Sequence, residues 1–395
     1  MTLGALIAAY QEDDEGGLRA LLPLAGQTLV EYQARCAAAV EASPIVVLVE
    51  RIPPQLHEAL ERLRGDGISV VTVGDAQEAA SRFEPTGTIL LLGDGVVPTP
   101  DLVAQITSAG EPLIATVPDD DVHDQFERID AQSRWAGVAA IDGHLLSSTA
   151  AMLGDWDLQS TLLRRAVQDG VERVALDPSM GAPLLVDRAE QLGHFETALL
   201  SASRGSRRDF ASRYLLPWIE DLATRELIAR EVRPVWMIRA ALALTLAASA
   251  GFFLGYPATS VVLLLLSAPL DLIAGRLAVL RLRPLPQTLF SRRMLWPAAG
   301  LALVALGWCS MKAGAGWGAL ASAAAAAAFA EAARRETPSL PLDGEVWLFS
   351  RRNAILLAVP FAALGGWAVL LAGLAIYAAG SFFLLQKVRH REFLH

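Results

Sequence analysis

From Val235 to the C-terminus the chain consists of long blocks of Ala, Leu, Val and Gly, separated only by short clusters of arginine. Blocks of this length leave the backbone few choices. In a bilayer every peptide group must be satisfied internally, so such segments span as helices of about 20 residues. Six spans are expected, at roughly 235–255, 258–278, 294–312, 314–333, 353–369 and 370–386. The last two are short and separated by Gly365-Gly366-Trp367, so they read as a tight hairpin.

Charge divides at nearly the same place as hydropathy. Residues 1–206 hold 13 Arg, no Lys and 31 Asp plus Glu, whereas residues 207–395 hold 20 Lys plus Arg and 11 Asp plus Glu. The acidic front half therefore reads as soluble, and the basic rear half as membrane-embedded. Arginine clusters sit in alternate loops: Arg276, Arg281, Arg283, Arg292 and Arg293, then Arg334, Arg335, Arg351 and Arg352, then Lys387, Arg389 and Arg391 in the tail. The intervening loops offer only Lys312. That asymmetry predicts both termini and the front domain on the cytoplasmic side. Positive charge beside lipid headgroups makes membrane lipid the expected partner and argues against nucleic acid.

The opening MTLGALIAAYQEDDEGG has no basic n-region and turns acidic by Glu12, so its apolar run reads as a buried strand rather than a signal peptide. Cys36 and Cys309 lie in different halves, which excludes a disulfide framework. TLGALIAAY, SPIVVLVE, GISVVTVGD, TGTILLLGDG and PLIATV are short apolar runs separated by helical segments. Strands alternating with helices predict a largely parallel sheet covered on both faces, with ligands at the carboxyl ends of its strands. The 10–19 loop YQEDDEGGLR and Asp94 fall at such ends. Between the halves, Phe210, Tyr214, Leu215, Trp218 and Leu222 recur at helical spacing with charge opposite. They predict a helix lying in the membrane interface, the alternative being an ordinary domain-linking helix.

Two resemblances follow from quoted residues. LIAAYQEDDEGGLRALLPLAGQTLVEYQARC, TILLLGDGVVPTPDLV and APLLVDRAEQL are similar to the phosphate loop and two carboxylate stretches of sugar- and inositol-phosphate nucleotidyltransferases. The resemblance implies phosphate binding by Gly17 and Arg19, a divalent ion on Asp94 and Asp187, and CTP as nucleotide. The domain order, DFASRYLLPWIEDLATR and WLFSRRNAILLAVP resemble bifunctional inositol-phosphate cytidylyltransferases fused to CDP-alcohol phosphotransferases. In that family the stretch SAPLDLIAGRLAVLR would carry the D-x-x-D-G-x-x-A-R signature, making Asp271 a catalytic metal ligand and Arg276 a phosphate-binding residue. The implied cofactor is Mg or Mn and the implied ligand a CDP-alcohol. The implied architecture is an α/β nucleotidyltransferase-like, Rossmann-like soluble domain over 1–203 and a juxtamembrane amphipathic helix over 204–233. An all-α domain of six transmembrane helices follows over 234–395.

This sequence departs from both patterns. Glu12, Asp13, Asp14 and Glu15 enter the phosphate loop, and Leu22 stands where a lysine is expected. Ala268 replaces the first aspartate of the membrane signature, Leu272 its glycine and Gly275 its alanine. Downstream, LRPLPQTLFSRRM supplies arginine where two further aspartates are expected. One carboxylate falls short of the six or so oxygen ligands of a hard divalent ion. Two function classes stand open at this stage. One is a membrane transferase forming a phosphodiester from a CDP-alcohol and a hydroxyl acceptor. The other is a non-catalytic relative, a pseudoenzyme that binds lipid, nucleotide or another chain, as a homodimer or with an active family member.

Overall fold

A computed structural model describes residues 2–154, 156–176, 183–186, 188–203, 209–228, 230, 232–283, 285–286, 288–336 and 344–392. The chain divides into two compact units, Met1–Ser201 and Ala202–His395.

The first unit is α/β. Strands β1 (Leu3–Ala8), β2 (Ile45–Leu48), β3 (Val70–Val73), β4 (Thr88–Leu92), β5 (Leu113–Pro118), β6 (Ser133–Asp142) and β7 (Glu172–Ala175) form one sheet, ordered β7-β5-β6-β4-β1-β2-β3. β1 pairs in parallel with both β2 and β4, β2 with β3, and β7 with β5. β6 runs antiparallel between β4 and β5. Every residue of β2, and all but the first of β1 and of β4, is buried. Strands covered on both faces are expected to be apolar without alternation. The five strands read from the sequence are β1 to β5. β6 and β7 were not foreseen: SRWAGVAAID holds Gly and several Ala, residues of low strand propensity, and it is a strand because both neighbours pair with it.

Helices α1 (Leu29–Ala39), α2 (Pro54–Gly65), α3 (Ala76–Ser81), α4 (Pro100–Ser108), α5 (Gly143–Ala150), α6 (Leu158–Gln168) and α7 (Ala189–Ala202) complete it. Their starts are locally encoded. Thr28 and Glu31 form a capping box on α1, and Asp75, Thr99 and Asp157 accept backbone N–H bonds at α3, α4 and α6. Leu6, Val46, Ile89, Leu91 and Ile114 of the sheet pack against Leu146, Leu162 and Leu163 in one apolar cluster.

The second unit is helical. A short π-helical turn (Ala211–Leu215) precedes α8 (Pro217–Ile228), α9 (Pro234–Phe253), α10 (Pro257–Ser267), α11 (Leu270–Leu280) and α12 (Phe290–Ser310). α13 (Trp317–Glu336), α14 (Arg351–Leu364) and α15 (Trp367–Glu392) follow. Among the described residues four segments are long and apolar enough to cross a membrane: Pro234–Phe253, Pro257–Leu280, Phe290–Ala315 and Trp367–Arg389. No more than 44% of the residues in any of their apolar windows is buried in the protein.

The expected count of six is thus corrected to four. α14 has 14 residues, or ~21 Å, against a hydrocarbon core of ~30 Å, and it carries Pro360. α13 has the length, but alanine is weakly apolar and Glu331, Arg334, Arg335 and Glu336 fill its last turns. Its small residues serve packing instead. Ala319, Ala323, Ala326, Ala330 and Ala333 are buried, and a Cβ at Gly307 of α12 would stand 2.6 Å from the Ala323 methyl. Gly365 and Gly366, both at positive φ, make the expected break between α14 and α15.

α8 is amphipathic in an unusual sense. Glu220 and Thr224 are buried, whereas Trp218 and Leu222 are 68% exposed, with Tyr214 and Leu215 exposed beside them. The aromatic and aliphatic side is thus the exposed one.

Candidate functional site

In the α/β unit the 10–19 loop follows β1 and Asp94 follows β4, side by side in the sheet. Asp94 Oδ2 accepts the backbone N–H groups of Tyr10 and Gln11, both at 2.7 Å. Gly95 must be glycine: its φ is +71°, and a Cβ there would lie 2.7 Å from the Val186 carbonyl oxygen. Asp94 is 4% exposed and its Oδ1 has no hydrogen-bond partner; the buried Nε2 of Gln159 has none either. Burial pushes the Asp94 carboxyl up to about 6, against the opposing pull of the Gln11 and Tyr10 amides and of Arg19.

The loop is closed on itself. Asp13 Oδ1 accepts the N–H groups of Glu15 (2.9 Å) and Gly17 (2.7 Å). Arg19 donates through Nε to the Glu12 carbonyl (3.0 Å) and through Nη1 to Gln11 Oε1 (2.9 Å). The Gly17 amide and the Arg19 guanidinium, the two phosphate-binding candidates, are thus engaged within their own loop. The acids of the loop supply two of those three partners, the Asp13 carboxylate and the Glu12 carbonyl, and pair with basic residues brought from elsewhere: Arg51 meets Glu12 and Arg188 meets Asp14. Asp187, the expected second carboxylate, lies outside the described residues.

In the helical unit Asp271 sits in the first turn of α11 and faces α14. Arg351 Nη2 reaches its Oδ1 at 3.0 Å and Arg352 Nη2 its Oδ2 at 2.6 Å. Arg352 also donates to Asp209 Oδ2 at 2.7 Å. Arg276, one turn further along α11, points elsewhere: it pairs with Asp221, lies 3.7 Å from Glu220, and donates to the Ser203 hydroxyl at 3.0 Å. Sequence reasoning placed Asp271 and Arg276 on one signature, and the structure assigns them to two separate ion-pair groups. It missed Asp209, Asp221 and the precise use of Arg351 and Arg352, which the sequence marks only as loop charge. Asn353, next in line, holds the start of α14: its Oδ1 accepts the Ala211 N–H (3.2 Å) and its Nδ2 donates to Val346, Leu348 and Tyr377 oxygens.

These residues do not fit a divalent cation. Both Asp271 oxygens are held by guanidinium groups, Ala268 offers no ligand, and Arg292 rather than an acid faces the same cleft of about 420 Å³. Among the described residues no three His, Cys, Asp or Glu side chains converge closely enough to hold a metal ion. A second cavity of about 590 Å³ adjoins it, sharing Arg292, Trp296 and Arg351 in its lining. Arg351 is 9% exposed, and its Nη1 has no hydrogen-bond partner.

No family model and no curated relative matches the chain. A solved structure of a candidate glucose-1-phosphate thymidylyltransferase from Bacillus anthracis, in complex with a sucrose, overlaps it at 11% identity and a TM-score of 0.39. The overlap covers 50% of this chain and 95% of that one. It is loose enough to assign neither family nor activity.

Proposed function

We propose that this is an integral membrane protein related to the fusions of a nucleotidyltransferase with a CDP-alcohol phosphotransferase, in which the membrane unit no longer performs metal-dependent phosphotransfer and serves by binding. The front domain and both termini lie on the cytoplasmic side in this reading. The observation that carries it is the double arginine clasp on Asp271. A carboxylate that must grip a metal diphosphate needs open lone pairs and further carboxylates beside it. Here the open positions are filled by Arg351 and Arg352, and of the remaining signature positions only Arg276 matches, the others being Ala268, Leu272 and Gly275. The closed 10–19 loop supports the same view of the front domain: phosphate would have to displace an Asp13 carboxylate from the Gly17 amide.

The test is product formation from labelled CDP-alcohol in proteoliposomes with magnesium or manganese, comparing wild type with Asp271→Asn. The expected result is no product above protein-free vesicles from either. Product from wild type that vanishes in the variant would establish the transferase reading. For the front domain, calorimetric titration with CTP and magnesium is expected to give no binding heat at millimolar nucleotide.

A further inference from the structure

The larger cavity of the helical unit combines two chemistries that rarely coincide by accident. Its depth is apolar, walled by Phe252, Leu264, Leu306, Ala358 and Leu370. Its other end carries five arginines, Arg292, Arg293, Arg334, Arg335 and Arg351, against one acid, Glu331. Glu331 is engaged by Arg334 and Arg335, both at 2.8 Å, and so balances one positive charge of that group. From Arg292 to Leu306 the cavity follows α12 for about 21 Å at the helical rise per residue. Its volume of about 590 Å³ lies within the ~300–1,000 Å³ of pockets that hold small organic ligands.

A charged mouth alone would not define a site. The second observation is Arg351, which lines the cavity, is 91% buried by its 9% exposure, and leaves Nη1 without any acceptor. Most buried side-chain polar atoms have a hydrogen-bond partner, so a guanidinium nitrogen without one beside a cavity is a position that an incoming acceptor would fill. Asp271 holds only the Nη2 side of that fork. Arg351 already faces Asp271 through Nη2, and Arg292, Arg334 and Arg335 stand against the single Glu331, so the lining favours an acceptor of negative charge. An apolar tail is required as well, because the rest of the cavity offers no polar partner of comparable strength.

We propose that this cavity binds one membrane lipid with a phosphate-bearing, net anionic headgroup, its phosphate on Arg351 Nη1 and the neighbouring Arg292, and an acyl chain in the apolar depth. Guanidinium forks hold phosphate oxygens directly, so the contact needs no bridging cation. The proposal deepens the non-catalytic reading by naming the ligand class, and it rests on that reading for the metal-free contact.

The test uses the full chain in nanodiscs and in detergent, with EDTA throughout. Retention of phosphatidic acid per chain is measured by native mass spectrometry and by titration, beside phosphatidylcholine of the same acyl composition and beside water-soluble glycerol phosphate. The expected result is one phosphatidic acid held per chain, no comparable retention of phosphatidylcholine or glycerol phosphate, and affinity about tenfold or more weaker in Arg351→Gln, the loss of a charge-assisted contact. Arg292→Gln, which leaves the Asp271 pairs intact, is the control against misfolding and is expected to weaken binding too. Equal retention of phosphatidylcholine, equal binding of glycerol phosphate, dependence on added magnesium, or unchanged affinity in both variants would overturn the proposal. Phosphotransferase activity would instead refute the non-catalytic reading while leaving lipid retention as measured.

Discussion

Asp271→Asn separates a structural carboxylate from a catalytic one by stability rather than by activity alone. In the structure Asp271 joins α11 to α14 through two charge-assisted hydrogen bonds, to an Arg351 side chain 8% exposed and an Arg352 side chain 17% exposed. Asparagine keeps one oxygen acceptor but removes the charge, leaving two nearly buried guanidinium groups facing an amide. Breaking a buried ion pair from one side costs about 3–5 kcal/mol. Two features reduce that figure here: Asp271 is 22% exposed on its side chain, and Arg352 retains Asp209 at 2.7 Å. A loss of roughly 2–3 kcal/mol is therefore expected. The assay is reversible unfolding in mixed micelles, followed by circular dichroism. A cycle with Arg351→Gln should show a coupling of about 1 kcal/mol or more, since residues in direct contact are not additive. A change of less than about 0.5 kcal/mol in Asp271→Asn would place it among ordinary surface substitutions and refute the clasp as a structural element.

The α/β unit carries three further predictions. Glu31 is fully buried, and although burial opposes its charge, the Arg62 hydrogen bonds and the Thr28 amide hold its carboxyl below the ordinary 4.5. A lowered folded value means the contribution is fully present above pH 4.5 and is lost as pH falls through the folded value. Glu31→Gln should cost about 2 kcal/mol at pH 7 and progressively less in acid, as read by denaturant unfolding. Asp94 has the opposite sign: its carboxyl is raised from 3.8 to about 6 by burial, so stability declines as pH rises through that window. Asp94→Asn, which preserves an acceptor for the Tyr10 and Gln11 amides, should flatten that decline and gain up to about 3 kcal/mol at pH 7; a variant less stable at pH 7 than at pH 5 relative to wild type would contradict this. Cys36 is buried, with its thiol pushed up to about 12 by burial, so it should resist maleimide in the native state at pH 8 and react only on unfolding, by mass spectrometry.

Much of the fold was legible because its signals are local. Apolar runs of strand length, the Thr28–Glu31 capping box and the composition change near Val235 each act within a short window. β6 escaped because its strand character comes from its neighbours. α13 and α14 were overcounted as spans because hydropathy in a sequence does not reveal that alanine is packing against Gly307, and because the span drawn to residue 369 ran past the helix end at Gly365. At the site, the sequence exposed departures from the two resembled patterns: Ala268, Leu272 and Gly275 in one, Leu22 and the acids of the 10–19 loop in the other. Those are identities at fixed positions. The sequence by itself thus determined an acidic α/β half and a basic apolar half. Only the tertiary structure decided which arginine meets which acid, because Asp271 and Arg351 lie 80 positions apart and long side chains choose partners by distance in space. The same long-range packing left Arg351 Nη1 beside a cavity with no acceptor, a fact that no spacing along the chain encodes.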